Sequence, residues 1–83
     1  MPVYPTLDGE NVVAALERGG FEAVWRRGHH IRLASDSGRI VTAPVFPSEA
    51  ICPGLLRKIL RDARLELPAF MSLAGSTRRP HAG

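Results

Sequence analysis

The 83-residue chain has one cysteine, one lysine, one tryptophan and one tyrosine, and aromatic residues make up only 6% of it. Each scarcity excludes something. A lone Cys52 closes no internal disulfide, which excludes a secreted disulfide scaffold and points to a reducing compartment. No apolar run approaches the ~18 residues that a membrane span requires. The opening Met-Pro-Val-Tyr-Pro-Thr-Leu-Asp has neither a basic nor an apolar signal region, so no secretory signal is expected. Internal repeats and low-complexity tracts are missing too. The length suits one domain that buries roughly 60% of its unfolded surface. That leaves no room for a regulatory domain or a doubly wound nucleotide-binding sheet. With 45% hydrophobic residues the composition is globular, not disordered. A small, soluble, cytoplasmic protein is expected.

What is present is positive charge of one kind. Lys58 is the only lysine among 11 basic residues, against eight acidic ones, for a formal charge of +3. Arginine's planar fork matches phosphate bidentately, so a basic, arginine-rich domain suits a polyanion such as nucleic acid. Codon usage in a GC-rich genome would produce the same bias. Composition leaves both explanations open.

Local patterns predict the elements. Asp8 is placed to cap a helix over Gly9–Arg18, in which Val12, Val13, Ala15 and Leu16 recur at helical spacing. Gly19-Gly20 stops it. Phe21 to Arg26 reads as a strand, with Phe21 and Trp25 on one face and packed in the core. Arg27-Gly28 makes a tight turn, His29 to Ala34 a second strand, and Ser35-Asp36-Ser37-Gly38 a hairpin loop. Arg39 to Val45 forms a third strand, placed at an edge by Pro44. A second helix begins with Pro53 and runs to about Arg64. Glu66 to Leu73 adds a short terminal turn of helix carrying Phe70 and Met71. Residues 1–74 are expected to form one domain, and 75–83 a disordered tail. The fold class is α+β, a three-stranded antiparallel sheet with both helices on one face.

Few residues offer chemistry. No P-loop, dinucleotide fingerprint or nucleophile elbow occurs, and the carboxylates are scattered. Adjacent strand residues point to opposite faces, so His29 and His30 are not expected to chelate one ion or to act together. The stretch Arg26-Arg27-Gly28-His29-His30-Ile31-Arg32 remains, with phosphate donors around two imidazoles. Imidazole is the side chain that changes protonation nearest neutral pH. Blander explanations exist. His29 shares a face with Ile31 and Leu33 and fits a core margin, while His30 fits solvated surface. Arg57, Lys58 and Arg61 on the second helix fit either a solvated face or a phosphate track.

Taken in order, the motifs resemble HicA toxins. Leu7 to Phe21 is similar to that family's opening helix and its closing Gly-Phe. Arg27-Gly28-His29 is similar to its Gly-x-His turn, although Arg27 stands where a glycine is usual. Asp36-Ser37-Gly38-Arg39 and Ala43-Pro44-Val45 follow, with Phe46 where many members carry histidine. Gly54 to Ala63 resembles the closing Gly-x-Leu-Arg-x-Ile-Leu-Arg-x-Ala helix. The resemblance spans about residues 7–65. It implies a fold like the double-stranded-RNA-binding domain and a metal-independent endoribonuclease acting on mRNA. It also implies His29 as the catalytic base and a HicB antitoxin that covers the site. Arg26, Arg27, Gly28, His30, Arg32, Arg57, Lys58 and Arg61 are the expected RNA contacts, with no cofactor or metal. A non-catalytic RNA-binding module using the same basic surface is the alternative.

Overall fold

A computed structural model describes residues 6–47 and 49–78. Helix α1 spans Gly9–Arg18, strands β1, β2 and β3 span Phe21–Arg27, His30–Ser35 and Ile40–Pro44, and helices α2 and α3 span Pro53–Ala63 and Leu67–Arg78. The order is therefore the expected α-β-β-β-α with one further helix. α3 is a full element instead of a short turn, and its backbone enters the segment 75–83 expected as a tail. Residues 79–83 lie outside the described residues.

Local chemistry explains most boundaries. The Asp8 carboxylate accepts from Asn11 N at 2.9 Å, satisfying one of the orphan donors of α1. Gly20, with φ at 100°, takes the chain out of that helix where an L side chain would be strained. Pro53 opens α2, and the backbone of Arg64 closes it in the left-handed region. Cys52 is the exposed N-cap residue of α2, and its side chain makes no capping bond.

The sheet is antiparallel in the order β1-β2-β3, so Pro44 does sit on an edge strand. Ile31 and Leu33 of β2 are buried with Val41 and Ala43 of β3, and their side chains define one covered face. Against it lie Val12, Ala15 and Leu16 of α1, Leu56, Ile59, Leu60 and Ala63 of α2, and Phe70 of α3. The opposite face carries Arg32, Ile40 and Thr42 and is open to solvent. β1 contributes only Phe21 to the buried set, and the rest of that strand is exposed.

A bulge in β1 overturns one expectation. Ala23 pairs with Leu33, but the next pair is Trp25 with Arg32, which leaves Val24 as the extra residue. The extra residue reverses the alternation of faces. Phe21 therefore enters the core at 4% exposure, whereas Trp25 stands on the open face at 42%. Trp25 is not a core residue.

The start of α1 is wedged against the end of β3. A Cβ on Gly9 would lie 2.7 Å from Val45 Cα and closer still to the Pro44 carbonyl oxygen. Both obstacles are backbone, so neither can rotate away. Gly9→Ala is expected to destabilise the domain by about 1–3 kcal/mol, the range for overpacking a filled site. Chemical denaturation checks this, and an unchanged midpoint would show that helix and strand can separate freely.

Candidate functional site

The β1–β2 hairpin closes through a two-residue turn, since Arg27 pairs with His30 and leaves Gly28 and His29 between them. Gly28 has φ at 57° while His29 does not enter positive φ, the pattern of a type II′ turn with glycine first. Gly28 is the expected turn residue. His29 belongs to the turn instead of opening β2, and that one-residue difference governs the site.

At the turn, His29 continues the ladder with the residue after β3. Val45 N donates to His29 O at 2.6 Å, and His29 Nδ1 lies 3.3 Å from Val45 O. A carbonyl oxygen can only accept, so Nδ1 carries the proton of this contact. The neutral ring then keeps its lone pair on Nε2. The buried Val45 is braced by the Gly9 wedge, which holds the acceptor in place.

The Phe46 ring packs beneath the histidines. Its centroid is 4.5 Å from that of His29, with 28° between the planes. His30 meets the same ring edge-on at 6.4 Å and 81°. The two imidazoles thus both contact one aromatic ring. His29 lies in the turn, one residue before β2 begins. The resemblance singled out Phe46, but its packing on His29 and the role of the Val45 carbonyl escaped the sequence reading, because nothing local links residues 45 and 46 to residue 29.

The arginines divide between surfaces. Arg27 pairs across from His30 and Trp25 across from Arg32, so these four share the open sheet face. The Arg32 guanidinium sits 5.0 Å from the centre of the Trp25 ring, a cation–π contact. Arg26 pairs across from Ile31 and so faces the helical side. There it borders a groove of about 210 Å³ lined by Glu10, Val13, Ala14, Glu17, Ile31 and Val45. Arg57, Lys58 and Arg61 stand exposed on α2, in the helical layer and not on the open face. Lys58 Nζ is paired with Asp62 at 2.8 Å, an exposed helical pair worth about 0.3–0.5 kcal/mol. The side chains of Arg26, Arg27, Arg57 and Arg61 make no hydrogen bond or ion pair among the described residues, leaving their forks open to phosphate.

Among the described residues, no group of three or more His, Cys, Asp or Glu is placed to hold a metal ion. No helix there is long and apolar enough to cross a membrane.

The family model described as HicA toxin of bacterial toxin-antitoxin matches residues 9–65. The match takes in α1, the whole sheet, the histidine turn and α2, and ends before α3. No curated protein matches the chain.

Proposed function

The chain belongs to the HicA toxin family of bacterial toxin-antitoxin systems, and from that premise we propose that it is an endoribonuclease that cleaves mRNA without a metal, in the cytoplasm. His29 is the general base. The tautomer supports this most directly, because Nδ1 is committed to the Val45 carbonyl and Nε2 is left to accept a proton. Imidazole in that state can take the proton of a 2′-hydroxyl. Arg27, Arg32 and His30 on the open face, with Arg26, Arg57, Lys58 and Arg61 as further contacts, bind the RNA phosphates. Guanidinium groups beside the base offset the negative charge that grows on phosphorus in the transition state. RNA is chosen by shape, 2′-hydroxyl and phosphate contacts instead of a base code.

The partner is a HicB-like antitoxin that silences the toxin by covering His29 and the hairpin arginines. Purified protein incubated with mRNA in excess EDTA is expected to produce fragments, and added antitoxin to stop their formation. Binding that weakens steeply with salt, without cleavage, would instead leave a non-catalytic RNA-binding module.

A further inference from the structure

We propose that His30 is a second catalytic residue, the acid to His29's base, so that one chain supplies both imidazoles of the cleavage step. This rests on the nuclease activity proposed above and adds the group that protonates the leaving oxygen. The observation behind it is the convergence of both rings on Phe46, at 4.5 Å for His29 and 6.4 Å for His30. A stacked contact and an edge contact bring both imidazoles to one aromatic ring at the hairpin end.

Hydrogen bonding divides the roles. His29 has given Nδ1–H to the Val45 carbonyl, which directs its remaining nitrogen to accept. The His30 side chain has no hydrogen bond or ion pair among the described residues, so both ring nitrogens are open and either can carry a proton outward. Its ladder neighbours also suit the task. Arg27 stands across from it on β1, Arg32 follows two residues on along the same face, and Pro44 opposite on β3 brings no competing acid or base. A phosphate held by these two arginines would lie on the sheet face that carries His30.

The step balances without an oxidant or co-reactant. His29 Nε2 takes the proton from the 2′-hydroxyl, and the freed oxygen pair forms a bond to phosphorus. The bond from phosphorus to the 5′-oxygen breaks, its electron pair leaves on that oxygen, and His30 protonates it. The products are a 2′,3′-cyclic phosphate end and a 5′-hydroxyl end. One proton has moved from His30 to His29, and water returns it between turnovers.

A leaving-group substitution tests the assignment. Two RNA substrates are compared, one natural and one with sulfur in place of the bridging 5′-oxygen at the cleaved bond. A thiolate leaves without being protonated, so the sulfur substrate needs no acid. His30→Ala is expected to slow the natural substrate about 10²-fold or more beyond whatever slowing it causes on the sulfur substrate, which shares the lost phosphate contact but needs no acid. His29→Ala should slow both, because each still needs the 2′-hydroxyl deprotonated. Equal slowing of both substrates by His30→Ala would overturn the assignment and make His30 an RNA contact. Unchanged rates on both would overturn it as well. His30→Gln, which retains a polar side chain, guards against a folding artefact and should show the same split. If wild type cleaves neither substrate, the nuclease reading itself fails, an outcome distinct from the loss of His30's role alone.

Discussion

His29→Ala is expected to lower the rate of RNA cleavage by about 10²–10⁴-fold, the usual contribution of a positioned general base. That corresponds to about 2.7–5.5 kcal/mol of transition-state stabilisation. The fold should survive, because His29 is exposed in a turn and contributes no buried side chain. The main-chain bond from Val45 N to His29 O does not depend on the imidazole and should persist. RNA affinity should fall little, since the arginine forks that meet phosphate are untouched. The measurement is single-turnover cleavage of labelled RNA by folded wild type and variant, with binding followed separately. In a bacterial host the same substitution should relieve growth arrest. Equal cleavage by the two proteins would remove His29 from the chemistry and leave the phosphate contacts without a base beside them.

The second large effect concerns stability and lies outside the matched family region. Phe70 is fully buried although it belongs to α3, which begins after residue 65. Its side chain joins the cluster built by α1, α2 and the sheet, and its amide donates to Glu66 O at 3.0 Å to start the helix. Truncating such a residue removes its transfer energy and leaves a cavity, so Phe70→Ala is expected to cost about 3–5 kcal/mol. Small domains have about 5–15 kcal/mol in total, so the loss takes a large share of the stability. Met71, the next residue, is 40% exposed, and Met71→Ala should change stability by no more than about 0.5 kcal/mol. Urea denaturation of the three proteins separates the outcomes. A Phe70→Ala midpoint close to wild type would mean that α3 is an appendage and that residues up to Ala63 hold the core alone.

The parts legible in the sequence are those with local causes. The apolar spacing of Val12, Ala15 and Leu16 sets the buried side of α1, and Asp8 and Gly20 mark its ends through bonds and angles within a few residues. Pro53 likewise announces α2, and the spacing of Leu56, Ile59, Leu60 and Ala63 its buried face. The element order and the open and covered sides of the sheet follow from such patterns, as does the presence of a histidine at the hairpin turn.

Three features depended on partners distant in sequence. The bulge at Val24 is a matter of which residue pairs with which across two strands, so the run Ala23-Val24-Trp25 carries no trace of it. The phase of the turn is similar. Whether His29 ends the turn or begins β2 is decided by the Arg27–His30 pair and by Val45, 16 residues away. Phe70 could be read as apolar, but its burial required α1 and the sheet to be in place first.

By itself, then, the amino-acid sequence determined a basic α+β domain with imidazoles and arginines on one hairpin. The tertiary structure decided how those groups face one another. A strand's alternation holds only until a bulge or turn resets it, and that reset is made by hydrogen bonds to other strands. Through it Trp25 moved to the open face, Arg26 turned to the helical side, and two adjacent histidines came to share one aromatic ring.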